Sequence, residues 1–132
     1  MPWLKNKFAK TLILPPSFPT VVCLCGSTRF AEAFREANLR ETLAGKIVLS
    51  VGCDTKSDAD LIALGELTPE KKAELDELHK RKIDLAEEIL VLNVGGYIGD
   101  STRSELAYAQ AGGKRIRWLV IDEPTGLPLL LS

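Results

Sequence analysis

The stretch LAEEILVLNVGGYIGDSTRSELAYAQAGGK, Leu85 to Lys114, decides how the chain is read. Ile89–Asn93 is a short apolar run fit for a buried strand, and Gly95 to Gly99 make a glycine-rich loop. Asp100, Ser101 and Thr102 then lead into a helix expected over Thr102–Ala111, stopped by Gly112-Gly113. A helix start offers free backbone N–H groups and the positive end of a dipole, which suits an anion. Glu105 lies close behind, so a carboxylate and an anion- or hydroxyl-binding turn would share one cleft. A second crossing of the same kind, Val21-Val22-Cys23-Leu24-Cys25-Gly26-Ser27-Thr28-Arg29, opens the domain. Two strand–glycine–hydroxyl–helix junctions in a small chain point to a nucleotide- or sugar-binding cleft.

Outward from these junctions, strand one is Thr20–Cys25 and helix one runs from about Arg29 to Leu43, ended by Gly45. Strand two is Ile47–Val51, and Ala59 to Leu67 has room for a short helix. Thr68-Pro69-Glu70-Lys71 is a helix start, with Thr68 as N-cap and Pro69 in the first turn; this helix ends near Glu87. Strand four is Ile116–Ile121. The order β-α-β-α-α-β-α-β with apolar strands predicts an α/β fold: a parallel sheet of four to five strands with helices on both faces. Ligands of such sheets bind beyond the carboxyl ends of the strands, where Gly26, Gly52 and Gly95 to Gly99 fall. Residues 1–19 read as an apolar, proline-bearing arm, 20–123 as the α/β domain and 124–132 as an apolar tail. The arm (Trp3, Leu4, Phe8) and the tail (Leu127, Leu129, Leu130, Leu131) need cover, which predicts a homodimer or higher homo-oligomer.

The chain has 132 residues, enough for one domain and too few for two. A net charge of −1 excludes an electrostatic case for a nucleic-acid polymer as partner. The apolar run Leu12-Ile13-Leu14 stops at Pro15-Pro16, well short of a membrane span or signal h-region. Three cysteines, Cys23, Cys25 and Cys53, fit a reducing compartment better than a disulfide framework, so a cytoplasmic location is expected. Cys23 and Cys25 share one strand face, but no His or Cys pair elsewhere in the sequence completes a zinc site; no metal is expected.

Cys25-Gly26-Ser27-Thr28-Arg29, together with Gly99-Asp100-Ser101-Thr102-Arg103-Ser104-Glu105-Leu106-Ala107-Tyr108-Ala109 and Gly113-Lys114, resembles the nucleoside 2-deoxyribosyltransferase-like superfamily. That superfamily includes deoxynucleoside 5′-phosphate N-glycosidases and CMP N-glycosidases, and the likeness covers about residues 20–121. It implies a flavodoxin/Rossmann-like fold, an oligomer and a nucleoside or nucleotide ligand, with no cofactor. It further implies that Glu105 is the nucleophile that forms a covalent glycosyl ester. Gly26 and Ser27 would line the pocket, and Ser101 and Thr102 would bind a phosphate or sugar hydroxyl. Family members usually carry an Asp two helical turns before the acid that opens strand three. Counting back from Glu88 reaches His79 or Lys80, with Asp76 and Asp84 one turn to either side. Asp84 or His79 would then assist the leaving base, and a basic residue there favours a phosphorylated ligand.

Each residue also has a plainer reading. Glu105 can simply complement the helix dipole, Ser101 or Asp100 can be the N-cap, and His79 can be an ordinary helix residue. Tyr97, between Gly96 and Gly99, either stacks on a base or anchors its loop. Arg29 and Arg103 begin helices, where a cation is unfavourable unless an anion binds nearby, so Thr28 and Arg29 join the binding set. Cys23 to Arg29 also satisfies Cys-x5-Arg, the spacing of cysteine phosphatases, although Cys23 sits in mid-strand. A non-catalytic nucleotide sensor on the same fold is the third possibility.

Overall fold

Val21–Cys25 and residues 89–92 within Glu88–Val94 are apolar on both alternating faces, which only a strand covered on both sides can bury. In the computed structural model, which describes residues 18–51 and 57–121 and the backbone of 128–131, these two strands lie side by side near the middle of the sheet. In chain order the elements are β1 (Val21–Cys25), α1 (Ala31–Leu43), β2 (Ile47–Leu49), α2 (Asp58–Ala63), α3 (Pro69–Leu85), β3 (Glu88–Val94), α4 (Asp100–Ala111), β4 (Arg115–Ile121) and β5 (Pro128–Leu131). The sheet order is β2-β1-β3-β4-β5. β1 to β4 are mutually parallel, giving the flavodoxin/Rossmann-like arrangement expected, whereas β5 runs antiparallel to β4. β5 is drawn from the segment read as an apolar tail; its edge pairing with β4 was not anticipated.

Strand alternation divides the core in two. Val22 and Leu24 of β1 face α1, where they meet Phe34, Ala37, Leu90 and Leu92. Val21, Cys23 and Cys25 face the opposite way, toward Ile83 of α3 and Ala109 of α4. Helices therefore cover both faces.

Local signals set the helix ends. Thr68 accepts a hydrogen bond from the Lys71 N–H with Pro69 in the first turn, as expected. Ser57 and Asp60 form a reciprocal capping box, which ties α2 to a start at Asp58, one residue before Ala59. α1 begins at Ala31 rather than Arg29, and β2 stops at Leu49 rather than Val51. α4 begins at Asp100, two residues earlier than predicted, with Gly99 as its N-cap. The arm residues Trp3, Leu4 and Phe8, the loop residues Gly52 and Cys53, and the tail residue Leu127 lie outside the described residues.

Candidate active site

The early start of α4 changes the reading of Glu105. Asp100 takes the first-turn place where an acid complements the dipole, and Glu105 falls beyond it. At helical spacing, Thr102, Glu105 and Ala109 share the buried face of α4, and Glu105 is 8% exposed. Its carboxylate sits in a cleft of about 440 Å³ that opens beyond the carboxyl ends of β1 and β3.

The cleft gathers most of the residues singled out in the sequence. Gly26, Ser27, Thr28 and Arg29 come from the β1 turn, Tyr97 and Gly99 from the loop after β3, and Asp100, Ser101, Thr102 and Glu105 from α4. His79 reaches it from α3. Asp84 does not. Its carboxylate accepts a 2.6 Å hydrogen bond from the Tyr108 hydroxyl and pairs with Arg81, on the far side of α3. The reason is rotation: at about 100° per residue, Asp84 is about 140° from His79 around the helix, whereas Asp76 is only about 60° away. Asp76 lines the cleft; Asp84 belongs elsewhere. Lys80 likewise faces the Tyr108 ring at 5.7 Å, and Arg103 is exposed outside the cleft lining.

The cation beside the start of α4 is instead Lys72, which the sequence reading did not single out. Its Nζ stands 3.3 Å from Asp58 and 3.0 Å from Asp76, and it donates to the Ser101 hydroxyl at 3.1 Å. Burial opposes its charge, but Asp76 and Asp58 outweigh that and hold its pKa above the usual lysine value. Thr28 joins the same network, donating to Asp58 at 3.1 Å and accepting from the Asp58 N–H at 3.0 Å. The signal was present in the sequence: Lys72, Asp76, His79 and Lys82 recur at spacings of three and four on one helix face.

No side chain caps α4, and its first intrahelical bond runs from the Arg103 N–H to the Gly99 carbonyl. The amides of Asp100, Ser101 and Thr102 precede that bond and stand where an anion can take them. Across the mouth, the Arg29 guanidinium donates to the Tyr97 hydroxyl at 3.0 Å and lies 4.1 Å from the ring centroid, with Phe30 edge-on. Tyr97 is thus held at the rim by its own chain. Gly26 has a packing reason as well as a place in the lining: a Cβ there would stand 3.0 Å from Leu92 Cβ.

Beneath the cleft, His79 Nε2 lies 3.8 Å from Glu105 Oε1 and 3.6 Å from the Sγ of both Cys23 and Cys25. Burial, together with the charges of Cys23 and Asp76, pushes Glu105 up to about 7, against the opposing pull of His79 and Lys72. Burial disfavours a charged His79, yet its contacts with Cys23 and Glu105 outweigh this and raise its pKa. The Cys25 hydrogen bond, aided by His79, lowers Cys23 to about 6 despite burial; Cys25, facing Cys23 and Glu105, is raised well above the usual thiol value. Cys23 and Arg29 form no common phosphate cradle: the thiol is fully buried against α3 and the guanidinium stacks at the rim. The sequence offered no His or Cys pair to join the two thiols; the single His79 meets them because α3 packs on β1.

No protein-family model matches the sequence. The curated proteins contain no match either.

Proposed function

We propose that the chain is an N-glycosidase or 2-deoxyribosyltransferase that cleaves the N-glycosidic bond of a (deoxy)nucleoside or its 5′-monophosphate. The observation that supports this best is Glu105 itself, a carboxylate 8% exposed on the floor of a cleft whose rim supplies helix-terminal amides, hydroxyls and a lysine. The likeness of the Gly99-to-Ala109 segment to the nucleoside deoxyribosyltransferase-like superfamily agrees with it.

In this reading a Glu105 oxygen attacks the anomeric carbon, forming a C–O bond as the C–N bond breaks. The electron pair leaves with the base nitrogen, which takes a proton; His79 is the acid placed beside Glu105. Water or a second base then displaces the carboxylate and restores Glu105. Asp76, rather than Asp84, supplies the cleft-facing acid of α3 that can contact the base or sugar. Ser101, Thr102 and the α4 amides, with Lys72, hold the phosphate or sugar hydroxyl. A homo-oligomer belongs to the same proposal, because Leu78 at the cleft and Ile62 and Leu64 of the α2 end are exposed; light scattering at micromolar concentration tests it.

The deciding experiment incubates the protein with a panel of nucleosides and 5′-monophosphates and measures free base by chromatography. Release from at least one member is expected. Binding without release would leave a nucleotide sensor, and release unchanged in Glu105→Gln would remove the nucleophile.

A further inference from the structure

We propose that Cys23, Cys25, His79 and Glu105 form a centre for one borderline-soft divalent ion of the zinc class. Cys23 and Cys25 are two residues apart on β1, so the strand period points both thiols at α3. There, His79 Nε2 lies 3.6 Å from each Sγ, and all three donor atoms fall within 4.8 Å of one another. Bonds of about 2.3 Å to thiolate and about 2.0–2.1 Å to imidazole, at a tetrahedral angle, require a sulfur–nitrogen edge of about 3.5–3.6 Å. Both observed separations meet that requirement.

Glu105 supplies the fourth corner. Its Oε1 lies 3.8 Å from the same nitrogen, against an edge of about 3.4 Å for a tetrahedral zinc with imidazole and carboxylate ligands. The donor atoms that lie within 4.8 Å of one another are those of Cys23, Cys25 and His79, so the Glu105 side chain must turn toward the thiols to complete the set. The thiols are fully buried, while His79 and Glu105 line the cleft, so the cleft is the route by which an ion reaches them. Two sulfur donors select zinc-like ions over magnesium or calcium, which prefer oxygen. An ion held there would take up the His79 nitrogen and the Glu105 oxygen that the glycosidic reading uses as acid and nucleophile. The two therefore describe alternative states of one site, and the test uses no substrate.

The whole chain, reduced and stripped with a chelator, is titrated with Co²⁺ and then with Zn²⁺. One ion per chain is expected, with a thiolate-to-cobalt charge-transfer band and intense visible bands of a four-coordinate ion, both abolished by zinc. Loss of an outer-shell partner costs about 10–100-fold in metal affinity, so Cys25→Ala and His79→Gln should each lose about 100-fold or more. Glu105→Gln should retain the charge-transfer band and bind at least about tenfold more weakly. Cys53→Ser, at a thiol outside the described residues, should keep the wild-type spectrum. Absence of the charge-transfer band in the unmutated protein would overturn the proposal whether or not any variant folds. Loss of the band in Cys53→Ser, or wild-type affinity in Cys25→Ala, would also overturn it.

Discussion

The imidazole of His79 on α3 stands 3.8 Å from the carboxylate of Glu105 on α4, and both are largely buried where they line the cleft floor. The contact links the two helices that cover one face of the sheet, and it moderates the rise that burial imposes on the acid on which the proposed chemistry depends.

Replacing Glu105 by Gln should abolish base release, because the amide keeps the shape and loses the nucleophilic charge. The same change should stabilise the metal-free protein at alkaline pH. Glu105 has a folded pKa of about 7 against an ordinary 4.5, so its ionisation costs stability as pH rises. The cost is absent below the ordinary value, grows through the interval, and is complete above about 7, at about 3 kcal/mol. Urea unfolding at pH 5 and pH 8, with and without the substitution, measures it; a variant no more stable than the parent at pH 8 contradicts the prediction.

A 5′-monophosphate should bind more tightly than its nucleoside, and Lys72→Met should erase most of the preference. Lys72 stands 3.1 Å from Ser101 at the uncapped start of α4, where free amides and an ammonium can share one phosphate. A charge-assisted hydrogen bond contributes about 1.5–3 kcal/mol, so one surviving net contact gives a roughly tenfold or greater preference. Calorimetric titration with dCMP and deoxycytidine decides it, and equal affinities would mean that the loop holds a hydroxyl instead.

At the opposite end of the sheet, Glu88→Gln should destabilise the fold by about 3–5 kcal/mol, the usual result of removing one partner from a buried ion cluster. Glu88 is buried between Arg117 at 2.9 Å, Lys46 at 3.0 Å and Arg115 at 3.2 Å, and Glu41 shares Arg117. Burial opposes its ionisation, but Lys46 and Arg117, then Arg115, prevail and hold its pKa below the ordinary value. Its contribution is therefore present above the ordinary carboxylate pKa and is lost as pH falls through the lower folded value. Acid titration of the melting temperature should show this loss in the parent and a flatter profile in Glu88→Gln.

Gly26→Ala should cost about 1–3 kcal/mol, as overpacking of a core does. The added methyl would meet Leu92 Cβ at 3.0 Å and Phe34 Cζ at 3.4 Å, both inside the α1 face of the core. A shift in denaturation midpoint with unchanged slope measures it, and a neutral substitution would show that β1 and β3 have room to separate.

The architecture was legible because its signals are local. Apolar runs marked β1 and β3, Thr68-Pro69 opened α3, and Gly112-Gly113 ended α4. Two of the glycine-bearing turns placed beyond the strand ends by topology, those of Gly26 and Gly99, line one cleft, while Gly52 lies outside the described residues. Where a feature depended on a partner distant in sequence, the reading faltered. The β5 edge strand needed β4 beside it, and the choice between Asp76 and Asp84 needed the rotation of α3 against the sheet.

The sequence by itself determined the element order, the parallel α/β class and the turns that form the cleft, because backbone propensity, strand period and helix caps act within a few residues. Only the tertiary structure decided that Lys72 joins Asp58, Asp76 and Ser101, and that His79 meets Cys23, Cys25 and Glu105. Those meetings arise from how two helices dock and turn on a twisted sheet. The docking follows from burying Ile83, Ala109 and the apolar face of β1 together, a collective packing that no single stretch of chain encodes.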